Sequence, residues 1–512
     1  MVEHSYELLY LPEPKVLFGH NQKMEDPREG LAYFGPLEPR LREIRSGVVG
    51  TRTGLEKFKK YIKTIQRPVY NVNSVTRPFF PGFEAVFGCK WDPDAVLYKE
   101  VREVDIDKAL RSSDRNVRTY DVVETFLKPL LSSVDDDERA DIWFVVVPDK
   151  VYTYCRPQSA APTGVQLETP ILTRRDAKRF TPQNWLFPSM QQEDENKAKE
   201  KVKYDYDAQF HDQFKIRLLQ RPVPTQIVRE STLDWRSYVR TDGKPLRDMT
   251  KIEGHLAWTL STAAYYKAGG KPWRLSDVRP GVCYLGLIYK KFEYSKDSTN
   301  ACCAAQMFLD NGDGTIFRGE LGPWYNPKTK EYHLSPNEAR ALIRRAVASY
   351  KDKMHEYPKE LFIHARTHFD RDEWFSFCEA VPKETNLVGV SINPKPPFKL
   401  YRKDSRFPIM RGMATIFSEK MAMLWTVGYI PRVQTALGME VPAPLEIQID
   451  RGKADIRVVI KDVLALTKLN YNACQYGDGL PVTLRFADTV GNILTASAEQ
   501  VANPPLAFKY YI

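Results

Sequence analysis

Cysteine is scarce in this 512-residue sequence and poorly placed for cross-linking. The seven cysteines are an odd number, no two of them form a Cys-x-x-Cys motif, and the adjacent Cys302 and Cys303 could close a disulfide only with strain. Small secreted folds held by disulfides need paired cysteines, and so do zinc ribbons. We therefore expect a reduced intracellular protein without a structural zinc site.

Long apolar runs are also missing. No stretch comes near the roughly 18–20 consecutive apolar residues that a membrane-spanning helix requires. The sequence begins Met-Val-Glu-His-Ser-Tyr, with no basic region followed by an apolar run, so we expect no signal peptide. These absences predict a cytoplasmic protein with no membrane partner.

The motifs of several enzyme classes are absent as well. The sequence has no Walker loop, no Gly-x-Ser-x-Gly elbow and no Gly-x-Gly-x-x-Gly fingerprint, which disfavours an NTPase, a serine hydrolase and a dinucleotide-dependent enzyme. His364 and His368 are spaced like zinc ligands, but the Glu of the zinc-protease motif is missing and a strand is predicted there. The Asp/Gly cluster at 310–314 lacks the other ligands of a calcium loop and predicts a hairpin turn.

Positive charge is in excess. Lysine and arginine number 75 against 65 aspartate and glutamate residues, which gives a net charge of +10 and a pI near 9.0. Hydrophobic residues make up 43% of the chain, enough for two or three globular domains at this length. The charge fits either a solvated basic surface or a groove for phosphate groups, and composition leaves both open.

The first half of the sequence alternates strands and helices. Residues 8–40 are punctuated by proline and predict an extended lead-in, and residues 191–203 predict an exposed loop or a solvated helix. The regular elements expected elsewhere are strands at 41–50, 141–148 and 222–229 and helices at 55–63, 120–131, 209–219 and 256–266. This alternation predicts a largely parallel α/β sheet.

In the second half, strands follow one another. We predict strands at 284–290, 304–309, 315–321, 361–364 and 481–486, and helices at 336–350 and from near Glu446 or Asp455 to Leu466. A sheet of successive strands crossed by helices is the layout of a ribonuclease-H-like domain.

Short motifs spread over the chain resemble those of one protein family. They are found at 11–14, 26–31, 34–36, 145–148, 154–157, 210–215, 225–230, 266–273 (Tyr-Lys-Ala-Gly-Gly-Lys-Pro-Trp) and 466–472 (Leu-Thr-Lys-Leu-Asn-Tyr-Asn). In their order and spacing they resemble the short prokaryotic Argonautes, which consist of a MID and a PIWI domain. The resemblance implies an α/β fold with a lead-in at 1–40, a Rossmann-like MID domain at 41–255 and a ribonuclease-H-like PIWI domain at 256–512.

The resemblance also implies a pocket for the 5′ phosphate of a guide strand. The pocket residues of the family fall here on His211, Lys215, Gln226 and Lys267. Independently, His211 and Lys215 are spaced i, i+4 on a predicted helix and share a face, which suits a phosphate. Whether His211 stacks on the first base or contacts the phosphate stays open. The family uses its C-terminal carboxylate, here at Ile512, to hold a structural Mg²⁺ against that phosphate.

Four further residues are candidates for lining the first nucleotides of a guide. Tyr152, Arg156, Trp273 and Arg274 combine aromatic rings with positive charge, a mixture that stacks on bases and binds phosphates. For Trp273, packing in the protein core is an equally good explanation.

Three positions where a nuclease of this family keeps metal ligands carry other residues. Ile288 in the first strand and Arg366 after the second replace two Asp residues, and Asn472 takes the last ligand position. Two-metal cleavage of a phosphodiester needs carboxylates that hold cations roughly 3.5–4 Å apart. We therefore predict that the PIWI domain is catalytically inactive.

The resemblance implies a guided sensor that acts through another protein. A guide RNA would pair with complementary single-stranded DNA from an invader and activate a heterodimeric partner with an APAZ region and a sirtuin-like or TIR NADase domain. NAD depletion would then kill the infected cell, an abortive-infection defence. Two alternatives stay open, a nucleic-acid-binding protein without a guide and an active guide-dependent nuclease. Spare carboxylates for such a nuclease are Glu320, Glu331, Asp370, Asp372 and Asp478.

Overall fold

The structure is a computed structural model that describes most of the chain. The described residues are 6–38, 41–71, 78–135, 139–183, 188–246, 248–291, 301–309, 314–321, 324–326, 328–394, 396–438, 441–498 and 507–512. Within these ranges, no helix has both the length and the apolar character needed to cross a membrane.

The N-terminal segment contains regular structure, so the prediction of an extended lead-in is wrong for it. Its elements are β1 (Glu7–Tyr10), β2 (Val16–Leu17), β3 (Lys23–Met24) and α1 (Pro27–Phe34). Asp26 caps α1 by accepting a hydrogen bond from the Arg28 amide, and Pro27 occupies the first turn, where its missing N–H costs nothing. The prolines of this segment therefore lie between regular elements or at the start of a helix, where they are compatible with regular structure.

The first half is a parallel α/β domain. Strands β4 (Ser46–Gly50), β5 (Leu97–Glu100), β6 (Ile142–Val147) and β7 (Thr225–Arg229) pair in parallel in the order β5-β4-β6-β7. Every residue of β6 is buried, as expected for a strand covered on both faces. The predicted Rossmann-like sheet is confirmed.

Four helices of this half were predicted and are present with shifted ends, and the described residues form further helices that were not predicted. The helices are α2 (Arg52–Ile65), α3 (Phe83–Phe87), α4 (Glu103–Ala109), α5 (Arg115–Asp135), α6 (Asp149–Tyr154), α7 (Arg174–Ala177), α8 (Pro188–Lys203), α9 (Phe210–Leu218), α10 (Glu230–Leu233) and α11 (Glu253–Lys267). The four that were predicted are α2, α5, α9 and α11. For residues 191–203 the helical alternative is confirmed, since they lie in α8. The expected domain boundary at 255 falls inside α11, whose Lys267 reaches back to β7.

The second half is built on a large mixed sheet. Its elements are β8 (Arg274–Leu275), β9 (Val282–Lys291), β10 (Ala301–Leu309), β11 (Gly314–Leu321), β12 (Trp324–Asn326), β13 (Glu331–His333), α12 (Pro336–Met354), β14 (Glu360–Ala365), α13 (Arg371–Ala380), β15 (Asn386–Asn393), β16 (Met413–Ser418), β17 (Met421–Leu424), β18 (Gly428–Ile430), β19 (Thr435–Leu437), β20 (Leu445–Arg451), α14 (Ile456–Leu466) and α15 (Val482–Leu494). Over the described residues the sheet order is β1-β16-β17-β20-β15-β14-β9-β10-β11.

This sheet contains both parallel and antiparallel strand pairs. Strands β9, β14 and β15 are parallel, so their carboxyl ends lie at one edge, while β1 extends the sheet from the N-terminal segment. Strands β10 and β11 form the predicted hairpin, whose turn at 310–313 lies outside the described residues. The ribonuclease-H-like arrangement of the second half is confirmed.

The prediction of a strand at 481–486 is wrong, because these residues begin α15. Alternating apolar residues within that short window imitate a strand. The buried positions continue at Ala487 and Val490 with helical spacing, which only a longer window reveals. Of the two starts considered for the preceding helix, Asp455 is confirmed, since its carboxylate caps α14 and the residues around Glu446 form β20.

Helix α15 lies directly on the central strand β9. A Cβ at Gly286 would lie 1.9 Å from the carbonyl oxygen of Thr483 in the first turn of α15. The buried His364 of β14 contacts the same residue, with 3.0 Å between its Nδ1 and Thr483 Oγ1, and burial lowers the pKa of His364 to about 3. Gly286 therefore permits the close approach that sets α15 along β9.

A buried ion cluster joins the N-terminal segment to the second half. Arg411 donates to both carboxylate oxygens of Glu13, at 3.1 and 2.9 Å, and Lys468 forms an ion pair with the same carboxylate. Burial opposes ionisation of Glu13, but the charges of Arg411 and Lys468 outweigh it and lower its pKa. The segment is thus part of the ribonuclease-H-like half.

Candidate nucleic-acid interface

Two buried lysines from separate helices meet at one backbone oxygen. Lys215 of α9 and Lys267 of α11 both donate to the carbonyl of Thr225, at 2.9 and 3.0 Å. Lys215 also donates to the main-chain oxygen of Ile512 (2.9 Å), and Lys267 to Oε1 of Gln226 (2.7 Å). The structure therefore brings together Lys215, Gln226, Lys267 and Ile512, as the sequence analysis expected for a guide-phosphate site.

The charge of this lysine pair is poorly stabilised by the protein. No Asp or Glu side chain among the described residues forms an ion pair with Lys215 or Lys267, and each lysine is only 1% exposed. Burial lowers the pKa of Lys215 to about 7. Burial and the neighbouring Lys215 charge lower the pKa of Lys267 well below its usual value. An anion at the pair would restore both charges.

Stability and phosphate binding should respond to pH in opposite directions. Folding lowers the pKa of Lys215 from 10.5 to about 7, so the unfolded chain binds more protons between those values. The free energy of unfolding should therefore rise with pH from about 7 to about 10. Phosphate binding needs charged lysines, so its affinity should fall over the same window, by up to about tenfold per pH unit for each proton taken up.

Thermal melting and phosphate-binding titrations at a series of pH values check these trends. The variant Lys215→Met is the control, because it removes the titrating group and should flatten much of the difference. Melting and affinity curves that rise or fall together would contradict the assignment.

A cavity of about 290 Å³ opens beside the start of α9. Its lining includes His211, Tyr152 and Arg156, and also Arg229, which the sequence analysis did not single out. The guanidinium carbons of Arg156 and Arg229 lie 4.9 and 4.4 Å from the ring centre of Tyr152. His211 Nδ1 lies 2.7 Å from Asp212 Oδ1, and the His211 side chain is 38% exposed. An exposed aromatic ring beside cations suits a nucleotide, whose base can stack on the ring while its phosphate contacts the cations.

Trp273 is placed in the core and not on a binding surface. It is 1% exposed, its Nε1 donates to the carbonyl of Lys468 at 2.9 Å, and its ring lies 5.2 Å from that of Tyr471. Of the two explanations considered for Trp273, core packing is the one that fits its burial. Arg274 is half-buried in β8, which pairs with β2.

At the carboxyl ends of β9 and β14, two cations surround one carboxylate. The parallel register of these strands sets the buried Ile288 beside Arg366. Nη2 of Arg366 lies 3.8 Å from Oδ2 of Asp488 on α15, and Lys290 forms an ion pair with the same carboxylate. Isoleucine offers no metal ligand, and the two cations beside Asp488 oppose the binding of a metal ion at its carboxylate.

Asp488, and not Asn472, is the residue that contacts Arg366. Asn472 lies in the α14–α15 connection, where its backbone N–H donates to Asn470 Oδ1 at 3.1 Å. The buried side-chain Oδ1 of Asn472 has no hydrogen-bond partner among the described residues. The sequence analysis missed Asp488 because the predicted strand at 481–486 hid the helix that carries it.

The other candidate ligands are separated or engaged elsewhere. Asp370 caps α13, Asp478 accepts from Asn470, and Glu331 accepts from the His368 amide. Glu320 lies on a strand whose side chains are outside the description. Among the described residues, no group of three His, Cys, Asp or Glu side chains is placed to hold a metal ion.

A parallel α/β domain joined to a ribonuclease-H-like sheet is the fold of the MID and PIWI halves of Argonaute proteins. Clostridium butyricum Argonaute bound to a guide DNA and a 19-mer target DNA is similar to this chain with a TM-score of 0.62 and 14% identity, over 98% of this chain and 55% of that one. The Aa-Ago structure with externally bound siRNA has a TM-score of 0.54 and 13% identity, over 98% of this chain and 55% of that one. Aquifex aeolicus Argonaute has a TM-score of 0.52 and 13% identity, over 98% of this chain and 57% of that one.

These likenesses establish the fold that the resemblance predicted. The chain spans about half the length of the Argonaute chains it matches. Comparisons of the sequence with protein-family models and with curated proteins find no match.

Proposed function

We propose that this protein holds the 5′ phosphate of a short guide strand and uses the guide to recognise a complementary strand. The observation that carries the proposal is the convergence of Lys215 and Lys267 on the Thr225 carbonyl, with Gln226 accepting a further hydrogen bond from Lys267. The cavity at Tyr152 opens from the same helix and strand, and the C. butyricum Argonaute of the same fold is bound to a guide and a target.

A terminal phosphate fits the lysine pair for electrostatic reasons. It would replace the shared carbonyl as acceptor and offer three oxygens to two ammonium groups, in charge-assisted hydrogen bonds that stabilise the charged lysines. Oxygen atoms are the ligands that Mg²⁺ prefers, and the main-chain oxygen of Ile512 and Oε1 of Gln226 would hold the ion beside the phosphate.

We propose further that the chain binds nucleic acid without cutting it. Ile288 and Arg366 stand at two positions of the sheet where a two-metal site would need carboxylate ligands. The nearby carboxylate of Asp488 forms an ion pair with Lys290 and lies close to Arg366. Phosphodiester cleavage by two metals needs a carboxylate cage that this set of side chains does not supply.

The resemblance to short prokaryotic Argonautes supports an RNA guide and a single-stranded DNA target from an invader. A sensor without a catalytic site needs a partner to produce an output. We propose an effector with an APAZ region and a sirtuin-like or TIR NADase domain, so that target binding leads to NAD depletion and abortive infection.

Binding of matched synthetic guides tests the proposal. We expect the purified chain to bind a 5′-phosphorylated RNA at least about tenfold more tightly than the same RNA with a 5′ hydroxyl, because charge-assisted hydrogen bonds are lost with the phosphate. Chelation of divalent cations should reduce that preference. The loaded protein should then retain a complementary DNA intact in Mg²⁺ and in Mn²⁺.

Two other results would point to the alternatives. Equal affinity for the phosphorylated and the hydroxyl guide would indicate a nucleic-acid-binding protein without a guide. Cleavage of the matched DNA, abolished by Asp488→Asn, would indicate an active nuclease.

A further inference from the structure

The connection between β15 and β16 presents a group of exposed cations. Its residues 398–408, called here the basic loop, contain Lys399, Arg402, Lys403 and Arg406 against one acidic residue, Asp404. All four cations are exposed, and none of them forms an ion pair with a residue that the structure describes. Cations with no internal partner are available to an external anion.

The basic loop has an apolar base that holds it against the sheet. The ring of Phe398 lies 6.0 Å from that of Trp425, and Phe407 stacks on Tyr429 with 4.4 Å between ring centres and 22° between planes. Ile409, just beyond the loop, is 6% exposed in the same apolar cluster. Apolar residues at both ends therefore anchor the loop, and the cations between them face solvent.

An aromatic ring stands among these cations. Tyr401 is 71% exposed and lies between Lys399 and Arg402 in the sequence. At the other end of the loop, the guanidinium carbon of Arg406 lies 5.9 Å from the ring centre of Phe407. Exposed rings between basic residues allow bases to stack while the cations neutralise phosphates, the usual design of surfaces for single strands.

The basic loop lies at the same sheet edge as the degenerate nuclease site. The connection that contains it leaves the carboxyl end of β15, which is parallel to β14 and β9; Arg366 directly follows β14, and Lys290 is near the end of β9. The loop is held further along that edge, because Phe398 contacts Trp425, which follows β17, and three strands lie between β17 and β9. With neighbouring strands about 4.8 Å apart, the base of the loop and the Ile288 strand are separated by roughly 20 Å. The loop and the pair of Lys290 and Arg366 are therefore separate groups of cations at one edge of the sheet.

We infer that the basic loop is a second nucleic-acid contact, which binds the phosphodiester backbone of the target strand and stacks an unpaired base on Tyr401. The inference rests on the proposed function, because it assigns the loop to the strand that pairs with the guide. Its ligand is a single strand at the carboxyl edge of the sheet, separate from the 5′ phosphate at Lys215 and Lys267.

An acidic protein surface would also attract the cations and could cover Tyr401, so it is the other outcome of the test. A ring that is 71% exposed has a large apolar area in water, and between cations that area is best covered by the face of a base. The observations therefore favour a nucleic acid over an acidic protein partner.

Salt dependence of target binding tests this inference. The loop variant replaces Lys399, Arg402, Lys403 and Arg406 by Gln. The control replaces by Gln four exposed lysines near the amino ends of β14 and β15, at the opposite edge: Lys351, Lys353, Lys359 and Lys383. Guide-loaded protein is titrated with complementary single-stranded DNA at a series of KCl concentrations, and guide-free protein with the same DNA.

The loop variant should lose about 2–3 units of slope in a plot of log Kd against log salt, since each phosphate contact to a single strand contributes about 0.7. The control variant should keep the slope of the wild type. Tyr401→Ala should weaken target binding by about 5- to 150-fold, the range for loss of one stacked base, and Tyr401→Phe should restore it.

An unchanged slope in the loop variant, or an equal loss in the control, would overturn the inference and leave a solvated loop or a protein-docking surface. The preference for a 5′-phosphorylated guide is measured on the same preparations. If the preference persists while the slope is unchanged, only the loop assignment fails. If the wild type shows no preference, the proposed function fails whatever the slopes are.

Discussion

Replacing Lys215 by methionine is expected to weaken binding of a 5′-phosphorylated guide by about 5- to 150-fold, with no loss of melting temperature. The loss corresponds to about 1–3 kcal/mol for charge-assisted hydrogen bonds to the phosphate. The fold should keep its stability, because burial lowers the pKa of Lys215 to about 7, and removing a buried charge that has no Asp or Glu partner offsets the loss of its hydrogen bonds to Thr225 and Ile512. Lys267→Met should act in the same direction.

The comparison of guides separates a lost phosphate contact from a general loss of positive charge. Binding of a 5′-hydroxyl guide should change little in Lys215→Met, because the contact removed is to the phosphate. Lys63→Met removes one charge from an exposed site on α2, where the side chain is 60% exposed, and should leave both guides unaffected. Equal weakening of both guides by Lys215→Met would contradict the pocket.

Substitution of Gly286 by alanine is expected to lower the free energy of unfolding by at least about 3 kcal/mol. The new Cβ would lie 1.9 Å from a carbonyl oxygen and 2.6 Å from a carbonyl carbon of Thr483, both in the backbone of α15. Backbone atoms at a helix start cannot turn aside as a side chain can. The helix must therefore move away from β9, and Asp488 with it.

Denaturant midpoints of the two proteins measure this effect. Gly243→Asn is a matched control, because Gly243 has a φ of +76° in open space and Asn tolerates that conformation, so a change within about 1 kcal/mol is expected. A similarly small change for Gly286→Ala would show that α15 does not lie on β9 as described.

Local sequence pattern was sufficient for some elements, such as β6 and α9, but not for the edge of the sheet where Asp488 lies. The buried apolar run of β6 and the i, i+4 spacing of His211 and Lys215 are local signals, and both elements form where expected. The helix that carries Asp488 begins with an alternating apolar window, so its helical spacing shows only over a longer stretch of sequence. Contact between Asp488 and Arg366 joins segments far apart in the chain, which no local pattern encodes.

The proposed phosphate site could be anticipated only through the family resemblance. Lys215, Gln226 and Lys267 come from a helix, a strand and a second helix, and nothing in their spacing predicts a shared carbonyl acceptor at Thr225. Helix periodicity places Lys215 and His211 on the same face of α9, but it does not show how deeply each is buried. Lys215 is 1% exposed, whereas the side chain of His211 is 38% exposed.

The central claim is that this chain carries a guide by its 5′ phosphate, and the nucleic acid that co-purifies with it tests that claim most directly. The chain would be isolated from cells of a native-like host, and the bound strands sequenced and their 5′ ends assayed with a phosphate-dependent exonuclease. We predict short RNA with 5′ phosphates, lost from the Lys215→Met and Lys267→Met double variant. Absence of nucleic acid, or long fragments of random length with 5′ hydroxyl ends, would contradict the account.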